Sequence, residues 1–201
     1  VVRRASSRRL HVAARSLATR ALSIFGDQAD IYACRQTGIT MICSNSVQEI
    51  ADLAPVAHLV AIDSSLPVMH YFDGFRTSHE VQNVEFVDKE EWKKLLPMDK
   101  VEEFRKRALN PHTHAVTRGG AENDDIYFQA REAQNAHVDH VIEVAEKYFK
   151  EATRVSLAAR MLRLSMKAIR RPTRSSSPWA VLRNRSRSRQ RTEPRKARRL
   201  A

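Results

Sequence analysis

Asp73, Arg76, His79 and Glu80 crowd into one short stretch, Asp73-Gly74-Phe75-Arg76-Thr77-Ser78-His79-Glu80. Side chains of these types can hold an anion, move a proton or orient a substrate; they serve equally well as a solvated or salt-bridged turn. A second candidate stands near the start of the chain, where Arg15 follows His11-Val12-Ala13-Ala14. A guanidinium there could hold a substrate carboxylate through two parallel charge-assisted hydrogen bonds, which lysine cannot reproduce. Read as part of a basic leader, the same residue is a surface arginine. His112 and His114, and His137 with His140, resemble metal ligands at first sight. No Cys or carboxylate stands at metal-site spacing beside them, so no metal site is expected.

Several elements must position these groups. Pro67 opens the run Val68-Met69-His70-Tyr71-Phe72, whose β-branched and aromatic residues predict a buried strand, and Gly74 permits a sharp exit from it. Ligands of open α/β sheets collect at such strand ends. Val12 is expected to close a first short strand, which sets Arg15 on the loop beyond its carboxyl end. Ile39-Thr40-Met41-Ile42-Cys43 reads as another strand. Ser46 with Glu49 three residues on forms a capping box. The helix it starts is expected to run to about Ile62, with Val47, Ile50, Leu53, Ala54, Ala57 and Val60 or Ala61 at helical spacing. Pro55 dissents, at a cost of about 3 kcal/mol inside a helix. Strand, capped helix and strand make a βαβ unit and so predict a parallel sheet. Further on, charged helices are expected around Glu90–Leu96 and Lys100–Leu109. An amphipathic helix is expected over Val138–Lys150, with Val141, Val144, Ala145 and Tyr148 on one face.

A chain of 201 residues can hold one domain with an extension. Its two cysteines, Cys34 and Cys43, have no CxxC spacing; this argues against a disulfide framework or a cluster bound within the chain and suits a reducing compartment. No apolar run is long enough to cross a bilayer. The net charge of +12 is unevenly spread. Residues 1–20 carry six basic and no acidic side chains, residues 154–201 carry sixteen basic against the single Glu193, and the stretch between has 13 basic and 22 acidic. The high pI therefore belongs to the ends. Residues 1–10 read as a leader, either a transit peptide rich in Arg, Ser and Ala or the edge of a gene model that lacks Met. The basic tail, with Arg185-Ser186-Arg187-Ser188-Arg189, reads as an RS-like segment or as out-of-frame translation, and it is expected to be largely disordered.

From His11 to about Lys150 the chain resembles the pyrimidine-binding domain of pyruvate:ferredoxin (flavodoxin) oxidoreductases. The strings HVAAR, ALSIFGDQAD, IYACRQTG, SNSVQEI, HYFDGFRTSHE, FRKRALNP and NDDIYFQAREA carry the likeness. The resemblance implies an α/β fold, a partial parallel-sheet domain over residues 11–153, with 1–10 as leader and 154–201 as the basic tail. It implies oxidative decarboxylation of pyruvate to acetyl-CoA by thiamine diphosphate with Mg²⁺, using coenzyme A and iron–sulfur clusters, with electrons passed to ferredoxin or flavodoxin. In that family the arginine of the HV-x-A-R segment binds the pyruvate carboxylate, which assigns substrate binding to Arg15. The partners implied are the remaining domains or subunits of the enzyme, in an intact homodimer, in the cytoplasm or, if the leader is a transit peptide, in a mitochondrion or related organelle. The glutamate that activates the aminopyrimidine and a threonine that helps bind pyruvate lie upstream of the matching segment in the family. The Mg²⁺–diphosphate site and the cysteine clusters lie in distant domains, so the segment is expected to be inactive by itself. Gln28, where the family has His, and Pro55 depart from its pattern. A non-catalytic protein that binds nucleic acid through its Arg-rich ends is the alternative, and an interaction module that pairs with a separate chain is a third.

Overall fold

The computed structural model describes residues 7–115 and 120–155, together with the backbone of 181–183. A parallel sheet is its centre, built from β1 (Arg9–Ala14), β2 (Thr40–Ser44), β3 (Val68–Asp73) and the three-residue β4 (Val181–Arg183), in the order β1-β3-β2-β4. All three strand pairings are parallel, with Arg9 opposite Val68, Thr40 opposite Val68 and Met41 opposite Val181. The expected parallel sheet is thus present. β1 runs two residues past Val12 and begins at Arg9, ahead of the expected domain start at residue 11.

Period-two alternation sorts the strand side chains between two cores. Ile42 and Val68 face one apolar cluster, while Met41, Met69 and Tyr71 face the other with Ala14, Ile31 and Ile39. The first cluster is closed by α2 (Val47–Ser64), which lies on the sheet, and α7 (Asn135–Val155), which packs on α2. The short α1 (Ala29–Cys34) supplies Ile31 to the second. The amphipathic face read over Val138–Lys150 is the buried one: Val141, Val144, Ala145 and Tyr148 are joined by Phe149 and Ala152.

Ser46 caps α2 as its spacing requires, accepting the Glu49 N–H at 3.2 Å. Glu49 reaches one residue further back than a standard box and accepts the Asn45 N–H at 2.8 Å. Pro55 sits inside this helix without ending it. Burial explains why. Leu53, Val56, Leu59 and Val60 are each at most 4% exposed, and about 1.5–3 kcal/mol for each such side chain outweighs the roughly 3 kcal/mol cost of one interior proline. α2 stops at Ser65, which is left-handed at φ 55°, ahead of Pro67.

The remaining helices are short: α3 (Arg76–His79), α4 (Lys89–Lys94), α5 (Met98–Lys106) and α6 (Tyr127–Ala133). The two charged helices end two or three residues before the sequence pattern suggested. Within residues 154–201, expected to be largely disordered, Arg154 and Val155 close α7 and Val181–Arg183 pair with β2. The Arg-Ser alternation and the rest of that segment, with Val1 to Ser6 of the leader, lie outside the described residues.

Candidate functional site

β1 and β3 are neighbours in the sheet, so the residues that follow them meet at its carboxyl edge. There the Gly74 N–H donates to the Ala14 carbonyl at 2.9 Å, and the Arg15 Nε donates to the Gly74 carbonyl at 2.9 Å. The same carbonyl accepts the Ser78 hydroxyl at 2.7 Å. A guanidinium offers five N–H donors in a planar fork; with Nε spent on the protein, the paired terminal nitrogens are the donors left for a ligand. Asp30 holds the backbone of Arg15: its Oδ2 accepts the Arg15 N–H at 3.1 Å and its Oδ1 accepts the Ile31 N–H at 2.7 Å. Arg15 also bridges Gly26 in antiparallel fashion, and the Ser16 N–H donates to the Phe25 carbonyl at 3.1 Å, which folds the 16–26 loop back on the end of β1.

The turn after β3 is fixed by Asp73. Its Oδ1 accepts the Phe75 N–H at 3.0 Å, and its Oδ2 accepts those of Arg76 at 3.0 Å and Thr77 at 3.4 Å. The Phe75 N–H, then those of Arg76 and Thr77 with the Arg76 charge, hold its carboxyl below the usual carboxylate range. Both glycines here are required by close approach. A Cβ on Gly74 would lie 2.3 Å from the Ala14 carbonyl oxygen and 2.6 Å from the Arg15 Cγ; one on Gly26 would lie 2.4 Å from the Asp73 Oδ1.

The structure therefore joins the two candidate regions: Arg15 touches the 73–80 turn through Gly74. Within that turn Asp73 is spent on backbone N–H groups, and His79 Nδ1 lies 2.7 Å from the Phe75 carbonyl, while Arg76 and Glu80 are exposed. These are the roles of a structural turn. Asp30, Gly26 and the Gly74 carbonyl escaped the sequence reading because they act on Arg15 across the fold; an Asp just inside the start of a short helix, α1, was the available signal. His112 and His114 lie in a tight turn in which Asn110 Oδ1 accepts the His112 N–H at 2.9 Å. His137 and His140 sit far from Arg15, on a cavity of about 480 Å³ at the amino end of the sheet, lined by Asp63, Ser65, Arg107 and Arg131.

The apolar side chains around Arg15 are exposed. Leu22 is 96% and Phe25 69% accessible, and the Phe25 and Phe75 rings lie 6.3 Å apart on the same rim. An arginine with its terminal nitrogens open beside apolar surface suits a small carboxylate attached to an apolar body. Among the described residues no three His, Cys, Asp or Glu side chains are grouped to hold a metal ion. No described helix is long and apolar enough to cross a membrane.

Comparison with known proteins bears on this edge. Residues 6–150 match the family described as pyruvate flavodoxin/ferredoxin oxidoreductase, thiamine diphosphate-binding. The pyruvate:ferredoxin oxidoreductase of Moorella thermoacetica is 57% identical over 127 residues, which is 63% of this chain and 11% of that protein. The pyruvate-flavodoxin oxidoreductase of Enterobacter agglomerans is 52% identical over 138 residues, 69% of this chain and 12% of that protein. The pyruvate dehydrogenase [NADP(+)] of Cryptosporidium parvum is 47% identical over 136 residues, 68% of this chain and 7% of that protein. The chain spans about a tenth of the length of these relatives.

Proposed function

Since the chain belongs to the pyruvate flavodoxin/ferredoxin oxidoreductase family of thiamine-diphosphate-binding domains, we propose that it is the substrate-gripping part of an enzyme that oxidatively decarboxylates pyruvate to acetyl-CoA. Electrons pass in this reading to ferredoxin or flavodoxin. The observation that carries it is the hold on Arg15: Nε on the Gly74 carbonyl and backbone N–H on Asp30, with the terminal nitrogens left to take a carboxylate side-on. Thiamine diphosphate, when bound, supplies the electron sink for decarboxylation. What these residues contribute is orientation. Two charge-assisted hydrogen bonds fix the carboxylate, and the exposed apolar rim of Phe25 and Phe75 gives the methyl end and its neighbours a surface from which covering polypeptide excludes water.

Mg²⁺, coenzyme A and iron–sulfur clusters belong in this reading to polypeptide other than this segment, as do ferredoxin and the second copy of a homodimer. Neither Cys34 nor Cys43 forms a disulfide, which supports a reducing compartment.

The test exchanges the matching segment of the Moorella thermoacetica enzyme for residues 7–150 of this chain and follows pyruvate-dependent ferredoxin reduction. Arg15→Ala removes both charged hydrogen bonds and is expected to lower kcat/KM for pyruvate by about 10²–10³-fold, with Arg15→Lys recovering only part of it. An exchanged enzyme that is active with an unchanged KM for pyruvate after Arg15→Ala would remove Arg15 from the substrate site.

A further inference from the structure

Three histidines and a serine that the Arg15 site does not use form a continuous row across the sheet. His11 and His70 stand directly opposite each other on β1 and β3, with Nδ1 to Nδ1 3.0 Å. The other nitrogen of His11, Nε2, lies 2.9 Å from Nε2 of His58 on α2, and the other nitrogen of His70, Nε2, lies 2.6 Å from the Ser44 hydroxyl at the end of β2. The ring centroids are 5.1 Å and 5.2 Å apart, the separation of rings meeting nitrogen to nitrogen. His70 is fully buried, whereas His11 is exposed and open to solvent.

Proton counting limits what such a row can hold. A neutral imidazole has one N–H donor and one acceptor, so with all three rings neutral each contact contains one hydrogen, and the donors all point the same way along the row. Adding one proton keeps every contact satisfied: a charged His11 donates to His70 and to His58, and His70 then donates to Ser44. Adding a second leaves two N–H groups pointing at each other in at least one contact, wherever the protons sit. Among the described residues no carboxylate hydrogen-bonds a ring of the row to relieve this. Arg9 on β1 is the charged side chain that acts on His11 and His58, while the acids of α2 are engaged elsewhere: Glu49 with the Asn45 N–H, Asp52 with Gln48, and Asp63 with Lys147 and Tyr148. β2 brings only the Ser44 hydroxyl, and on β3 the row's own charge is the influence on His70.

We propose that Ser44, His70, His11 and His58 form a proton-binding row with room for one proton, and that a second proton unclips β1, the strand that ends at Arg15, from β3 and α2. Burial of the rings works in the same direction, because it holds His70 and His58 down to about 4. The row stands whatever ligand Arg15 takes, since none of its contacts involves Arg15, Asp30, Asp73 or Gly74.

The experiment uses the 201-residue chain, with histidine ring nitrogens followed by NMR from pH 7.5 to 4 and backbone amide exchange followed in parallel. His11, His58 and His70 are expected to change together in a single step that takes up one proton. A second step is expected to raise amide exchange in β1 at least tenfold while Val144 and Ala145 of α7 stay protected. In His11→Leu, which removes an exposed ring, His58 and His70 are expected to titrate separately and the β1 step to disappear. Three unrelated titrations in the parent chain, two protons taken up with β1 still protected, or a β1 step that survives His11→Leu would each overturn the proposal.

Discussion

The two ends of this sheet are built on different physics. At the α2–α7 side the apolar residues are shut away: Val56, Ala57, Val60 and Ala145 are fully buried, and the buried Tyr148 hydroxyl donates to Asp63 at 2.9 Å. Burial first, and then that contact, hold the Tyr148 hydroxyl protonated well beyond its usual range. At the carboxyl edge the apolar residues lie open, and order comes from backbone hydrogen bonds to Asp73, Asp30 and Gly74. A methylene lost from dispersed packing costs about 0.5–1.5 kcal/mol, because each of its many contacts is small. A turn held by a few directed bonds has no such reserve, so small steric changes there should outweigh larger chemical changes in the packed half.

Gly74→Ala is the severest test of that contrast. Its Cβ would meet the Ala14 carbonyl oxygen at 2.3 Å and the Arg15 Cγ at 2.6 Å. The Arg15 side chain can turn aside, but the carbonyl oxygen cannot move without opening β1 from β3, so a loss of about 4 kcal/mol or more is expected in chemical denaturation. Gly26→Ala meets a side-chain oxygen, Asp73 Oδ1, at 2.4 Å and should cost less, because Asp73 can swing at the expense of its N–H bonds. Equal, small effects at both positions would show that the edge is as adaptable as the core.

Acid should separate the two regions next. Unfolded histidine takes up its proton near 6.5, whereas burial first, and then the charges of Arg9, His11 and His58, keep His58 and His70 neutral in the folded chain to about 4. The unfolded state thus binds more protons between these limits, and stability falls as pH drops through that window and levels off below it. One such shift is worth about 3 kcal/mol; the partly exposed His58 contributes less, and the coupled pair does not add. Glu49 opposes the trend. Burial raises its carboxyl, so the folded state gains protons there as pH falls. Denaturation midpoints measured at pH 7, 5.5 and 4 should fall steadily; a flat profile would mean that the row is solvated.

Much of this architecture could be read from sequence because it is local. Short β-branched and aromatic runs mark β2 and β3, Ser46 and Glu49 mark the start of α2, and the helical stripe from Val141 to Tyr148 marks α7. The strand pattern sets Arg15 just beyond β1, while its substrate-binding role is what the family resemblance implies. The support for Arg15 was out of reach, since Asp30 and Gly74 meet it over 15 and 59 positions. The histidine row is less legible still. Only the register that sets His11 opposite His70, and the angle at which α2 crosses β1, bring its rings together.

Pro55→Ala should strengthen the packed half and leave the edge alone. Removing the ring restores one helix N–H and relieves the preceding turn, worth about 3 kcal/mol, while the unfolded chain regains freedom worth about 0.4–1 kcal/mol. A net gain of about 2 kcal/mol is expected in the denaturation midpoint, with amide exchange slowed in α2 and unchanged at Gly74 to Thr77. Slower exchange at that turn as well would show that the two regions unfold as one unit.

Ser65→Gly probes the smallest term, where opposing effects nearly cancel. Ser65 is held at φ 55°, a left-handed conformation that costs a residue with a Cβ about 1–2 kcal/mol. Glycine adopts it freely but gives the unfolded chain extra freedom, worth about 0.5–1 kcal/mol. The substitution also deletes the Ser65 hydroxyl, which accepts from Arg107 at 3.3 Å, a long and partly solvated contact worth well under about 1 kcal/mol. Strain relief is the largest of the three, so a gain of about 0.5 kcal/mol is expected. A loss would mean that Arg107, whose buried Nε has no hydrogen-bond partner among the described residues, depends on the bond from its terminal nitrogen to Ser65 for its place in the amino-end cavity. The packed half would then share the edge's reliance on single directed bonds.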